Sequence, residues 1–181
     1  LAGECGGSPT ESVLICPAVA HARRLEGTRE IAVVWVEVVP QSREGRDGTD
    51  WSQLIDHRAV ARLNTLIDRS SAKVVISSSW RCHMPIVHIE SLLRAQGFLG
   101  EILGATPRRT PNRGAEIQAW IDAAEEEPEA LVILDDLDEM EQLTPCFVRT
   151  SLEEGLLDAH VEAALSILAQ PWRALVEPPA P

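Results

Sequence analysis

The chain is predicted to fold as an α/β domain, a doubly wound three-layer sandwich with a mainly parallel sheet of about five strands. Three observations predict it. Short runs rich in β-branched residues recur along the 181 residues. Segments with apolar residues at helical spacing separate them. The two kinds alternate, and a strand–helix–strand order implies parallel strands joined by right-handed crossovers. The length suffices for one domain with its own core.

Residues 1–28 are rich in Gly, Ser, Pro and Ala and read as a loose arm, with one short ordered piece at SVLICPAVA. IAVVWVEVV (31–39) is a nearly unbroken β-branched run, as expected of a strand buried on both faces. PQSREGRDGTD (40–50) is a polar loop, and the stretch 40–56 is too short for a large cap over a site, so an open site is expected. DHRAVARLNTLIDRS (56–70) sets Val60, Leu63, Leu66 and Ile67 on one helical stripe. KVVIS is the second strand, PIVHIESLLRAQG (85–97) a helix that opens on Pro and stops at Gly, and GEILGAT (100–106) a third strand. NRGAEIQAWIDAAEEE (112–127) is a helix capped by Asn112, with Ile117, Trp120 and Ile121 on one face. ALVILDD (130–136) is the fourth strand, CFVRT (146–150) the fifth, and LLDAHVEAALSILAQ (156–170) the last helix. The α/β domain thus runs over 29–170, and 171–181 read as a flexible tail.

The net charge of −12 argues against strong binding to a nucleic-acid backbone, which needs clustered Lys and Arg. A local basic group nevertheless exists at Arg108, Arg109 and Arg113. None of the four cysteines, Cys5, Cys16, Cys82 and Cys146, forms a C-x-x-C pair, which fits reduced thiols in a cytoplasmic protein. No apolar run reaches the roughly 18 residues of a membrane helix, so no membrane partner is expected.

In an open parallel sheet, ligands sit beyond the carboxyl ends of the strands. Ser77, Ser78 and Ser79 stand at that end of the second strand, Asp135 and Asp136 at that end of the fourth. Two adjacent carboxylates repel, and a divalent cation such as Mg²⁺ relieves the repulsion; the bland alternative is an acidic turn. The serine hydroxyls and nearby N–H groups suit a phosphate oxygen; the alternative is a helix cap. Arg113 opens a helix, where the dipole disfavours a cation. Phosphate binding explains that placement, and a solvated arginine is the alternative.

KVVISSSWR, GATPRRTPNRGAEIQAWI, LVILDD and VRTSLEEGLLDAHVEAAL, in that order over about 56–168, resemble the haloacid dehalogenase (HAD) superfamily, above all the small HAD domains of Swiss Army Knife RNA-repair proteins. The resemblance implies a HAD-like Rossmannoid fold and metal-dependent phosphomonoester hydrolysis. It implies that Ser78, or Ser77 in the alternative register, binds the phosphoryl group, and that Arg113 stabilises its charge. It assigns Mg²⁺ to Asp135 and Asp136, and gives Trp80 and Arg81 a structural or substrate-facing role. The implied substrate is a small phosphorylated molecule or a nucleic-acid end.

The family's first motif is a strand ending in D-x-D-G-T/V, whose first Asp is the nucleophile. Here that position falls on Val36 or Glu37, and only Glu37 has a carboxylate. The D-G-T at Asp47–Thr49 follows a polar stretch, with Gly45 where the nucleophile would stand. Two readings follow: a phosphatase with Glu37 or Asp47 as a displaced carboxylate, or an inactive HAD-like domain that binds a phosphate-bearing ligand or a protein partner. Cys82, His83 and His88 fit no ordinary zinc spacing. His21, His57 and His160 read as surface or helix positions, and Trp51 as a residue near a substrate entrance.

Overall fold

The computed structural model describes residues 31–34, 51–107, 112–151 and 153–177, with 31–34 and 52–53 given by their backbone path. Five strands form one all-parallel sheet. They are β1 (Ile31–Val34), β2 (Lys73–Ile76), β3 (Ile102–Ala105), β4 (Ala130–Asp135) and β5 (Phe147–Arg149). Their spatial order is β3-β2-β1-β4-β5. The chain therefore steps outward from β1 to β3, returns to the other side of β1, and steps outward again. That reversal puts the topological switch point between β1 and β4, where open α/β sheets bind ligands.

The helices are α1 (His57–Ser70), α2 (Ile86–Ala95), α3 (Arg113–Ala123), α4 (Asp158–Leu168) and α5 (Trp172–Val176). Right-handed crossovers place α1 and α2 on one face and α3 on the other. α4 joins the α1 face, packing on α1, β4 and β5. All six residues of β4 are buried, which requires cover on both faces. The core is one cluster, with Leu63, Leu66, Phe98, Ile117, Leu131, Ile133, Leu143 and Leu156 among its fully enclosed side chains.

Local chemistry explains the boundaries. Asp56 caps α1, its carboxylate accepting from the Arg58 N–H at 2.9 Å, and Ser71 ends the helix in the left-handed region at φ 57°. Asn112 caps α3 through the Ala115 N–H at 2.9 Å. His160 fixes the start of α4, its Nδ1 accepting from the Leu157 N–H at 3.1 Å, so this histidine is structural.

Several expectations are corrected. The helix from Asn112 stops at Ala123, not residue 127. Three glutamates at a helix carboxyl end oppose the dipole, and Pro128 disfavours helix in the residue before it. A 3-10 turn, Glu141–Cys146, takes Cys146 away from β5, and another, Ser79–Cys82, is capped by Ser78, which is the cap alternative for the serines. The tail expected over 171–181 holds α5, because Trp172 is buried to 3 % exposure and its backbone N–H donates to the Glu129 carbonyl at 3.1 Å. Burial of so large an apolar surface outweighs the ordering entropy of one helical turn. The arm at 1–28, the loop at 40–50 and the residues at 35–39 lie outside the described residues.

Among the described residues no helix is long and apolar enough to cross a membrane. Of the cysteines described, Cys82 and Cys146 are free, and burial pushes the Cys146 thiol up to about 11, leaving it protonated and inert at neutral pH. Cys5 and Cys16 lie outside the described residues.

Candidate functional site at the carboxyl end of the sheet

The register brings the candidate residues onto one face. Val75 and Ile133 both pair with Val34, so Ser77 and Asp135, each two residues further, share the same face. Ile76 pairs with Ala105, and the Thr106 N–H donates to the Ile76 carbonyl at 2.8 Å. Thr106 is therefore the neighbour of Ser77 on that face. Thr106 was not singled out from the sequence, since one threonine at the end of a weak strand has no signature of its own.

Arg113 bridges the row. Its Nη1 donates to the Ser77 carbonyl, and its Nε lies 3.1 Å from Asp135 Oδ2. Ser77 follows β2 and Asp135 ends β4, and β1 runs between them, so the guanidinium spans the switch point. The pairing also resolves the expected conflict with the helix dipole, because the Asp135 carboxylate offsets a cation that the helix start disfavours. Arg113 is 10 % exposed at its side chain, which rules out the solvated reading.

The helix start is held against the loop after β4. The Gly114 N–H donates to the Glu139 carbonyl at 2.9 Å, and Asn112 Nδ2 donates to Glu141 Oε1 at 2.7 Å. A Cβ at Gly114 would sit 2.7 Å from the Met140 carbonyl oxygen. That contact is with backbone, which cannot swing aside. Gly114→Ala is therefore expected to destabilise by roughly 1–3 kcal/mol, although alanine is the better helix former. A urea unfolding midpoint equal to or above that of the wild type would show that α3 shifts freely.

Ser78 and Ser77 have different states. Ser78 Oγ accepts from the Trp80 N–H at 3.2 Å and caps the 3-10 turn. Ser77 Oγ is buried with no partner. Ser79 is exposed at the start of the turn. Trp80 is buried, with Trp51 against its edge at 5.0 Å and His83 stacked on Trp51 at 6.1 Å.

Among the described residues, six buried side-chain polar atoms lack a hydrogen-bond partner, and five belong to this end of the sheet: Ser77 Oγ, Thr106 Oγ1, Arg113 Nε, Asp135 Oδ2 and Asp136 Oδ1. The Arg113–Asp135 contact is close enough for an ion pair, but its angle makes no hydrogen bond. Each such group costs on the order of 1–3 kcal/mol when left unmade. Burial raises the Asp135 carboxyl to about 6, against the pull of Arg113 and of the Leu137 N–H, which donates to its Oδ1 at 3.0 Å; the charge of Asp136 adds to the rise.

Two adjacent carboxylates, each with an unpartnered buried oxygen, suit a hard cation that takes oxygen ligands. Mg²⁺ needs only one or two carboxylates beside water and phosphate oxygens. Among the described residues no group of three His, Cys, Asp or Glu forms a fuller cage, and Cys82, His83 and His88 form none. Glu37, Asp47, Arg108 and Arg109 lie outside the described residues.

A family model described as the HAD domain in Swiss Army Knife RNA repair proteins matches residues 17–161. The match opens well before the 56–168 of the sequence resemblance and takes in the first strand. Neither a curated protein nor a solved structure gives a significant match. The family match over most of the chain and the parallel sheet with its polar carboxyl end agree, and the chain belongs to the HAD domain family of Swiss Army Knife RNA repair proteins.

Proposed function

We propose that this domain hydrolyses phosphomonoesters at the carboxyl end of β2 and β4. The observation that supports the reading is the convergence there of five buried polar atoms without a hydrogen bond, two of which, Arg113 Nε and Asp135 Oδ2, meet only as an ion pair. Native structures satisfy such groups almost everywhere, so a cluster of them marks a place built for a ligand. The mix of two hydroxyls, a guanidinium and two carboxylates suits a phosphate together with a cation.

The roles follow from the chemistry. Asp135 and Asp136 would hold Mg²⁺, which when bound neutralises charge on phosphate oxygens. Arg113 binds the phosphoryl group with the guanidinium edge that it does not spend on Ser77. The hydroxyls of Ser77 and Thr106 donate to phosphate oxygens, and Ser78 shapes the loop while keeping its own O–H free to donate. Ser79 is exposed and adds a hydroxyl at the rim. Glu37 is the carboxylate assigned to attack, with Asp47 as the alternative. The substrate class is a small phosphorylated molecule or a nucleic-acid end; with a net charge of −12, the terminal phosphate rather than the strand is the recognised part.

A second reading, ligand binding without turnover, is favoured by one observation: the sequence IAVVWVEVVPQ (31–41), which opens with β1, contains no aspartate. Hydrolysis of p-nitrophenyl phosphate with and without Mg²⁺ separates the two. Metal-dependent turnover that falls in Glu37→Gln supports the phosphatase. Binding of orthophosphate without turnover on this and a panel of nucleotides supports the second reading. In either case Arg113→Ala is expected to weaken orthophosphate binding by about tenfold or more, since a buried charge-assisted contact is lost. Equal affinity would remove Arg113 from the site.

A further inference from the structure

We propose that Arg81 and Glu116 form a positioning pair that sets Arg113 and the serine loop for the anion without touching it; the inference rests on the phosphate reading of this site. Arg81 is 7 % exposed at its side chain, and its donors are engaged by the protein. Nε donates to the Thr106 carbonyl at 3.1 Å, Nη1 to the carbonyls of Ser78, at 2.6 Å, and Ser77, and Nη2 to Glu116 Oε2. One guanidinium thus gathers the ends of β2 and β3 and binds α3. Little of its hydrogen-bonding capacity remains for a ligand.

Glu116 lies three residues after Arg113, one turn along α3, and its side chain is 9 % exposed. Gripping Glu116 therefore fixes the turn that presents Arg113. The two arginines also meet at a single atom, the Ser77 carbonyl oxygen. Like charges so close repel, and the proximity of Arg113 does disfavour the charged form of Arg81, as burial does more strongly. Glu116 cancels the Arg81 charge and lets both guanidinium groups share the loop. Arg113 remains as the cation that faces the polar row.

The test separates positioning from plain stability. A buried ion pair is often replaceable by apolar residues of similar volume without loss of stability. Arg81→Met combined with Glu116→Met is therefore compared with the wild type by cooperative unfolding, by calorimetric titration of orthophosphate in Mg²⁺, and by the NMR signal of the Arg113 Nε–H. The expected result is a folded double variant whose orthophosphate Kd rises at least about tenfold and whose Arg113 Nε–H loses its exchange protection, with Arg81→Lys recovering part of both. If turnover is present, kcat falls more than KM rises. A folded double variant with affinity within about twofold of the wild type and an unchanged Arg113 signal overturns the proposal. If the double variant does not fold, Glu116→Gln, equal in volume, is judged by the same two readouts. Loss of the Arg113 signal in a protein whose wild type binds no orthophosphate sinks the phosphate reading and leaves the positioning of Arg113 supported.

Discussion

Asp135→Asn is expected to erase Mg²⁺-dependent thermal stabilisation and any phosphomonoester turnover, and also to make the metal-free protein more stable at neutral pH. The second effect follows from the raised carboxyl, at about 6 in the fold against an ordinary 3.8. Below about pH 3 folded and unfolded chains both carry the proton. As pH rises toward 6 the unfolded chain releases it first, so folding loses stability through that window, by about 3 kcal/mol once both are ionised. Asparagine never ionises, so the variant keeps what the wild type loses. Urea unfolding in EDTA at steps from about pH 3 to pH 7 should show two curves that start together and separate. Parallel curves would mean that Asp135 ionises without penalty. Mg²⁺ stabilisation that survives in the variant would remove the metal from this carboxylate.

Arg81→Ala alone is expected to be among the most damaging single substitutions, at about 3–5 kcal/mol, because it strands the Glu116 carboxylate in a buried site. The carbonyls of Ser78 and Thr106 lose a donor at the same time. Thermal unfolding at neutral pH measures the loss. A loss below about 1 kcal/mol would place this pair with weak surface ion pairs.

What could be read from the sequence follows what local chemistry encodes. The cap Asn112 and the unbroken run of β4 announce themselves within a few residues, and the structure has those elements. The candidate site residues Asp135 and Arg113 stand out in the sequence because a strand end and a helix start are places where charge is conspicuous. The partnership of Arg81 with Glu116 was not, since 35 residues separate them and only the sheet order brings them together. The choice between Ser77 and Ser78 was equally hidden. It depends on which hydroxyl the following 3-10 turn consumes, and that turn has no strong composition signal. α5 was missed because prolines flank one short turn whose stability comes from a single buried indole.

The atom on which Arg81 and Arg113 converge belongs to the main chain. No codon change can delete the oxygen of a peptide group. Substitution at residue 77 removes a hydroxyl from the polar row and leaves the acceptor beneath it in place. The junction of the two guanidinium groups is thus buffered against ordinary mutation at that position, while each arm remains mutable. Replacing the peptide link between residues 77 and 78 with an ester, whose carbonyl is a poorer acceptor, would weaken the junction with every side chain unchanged.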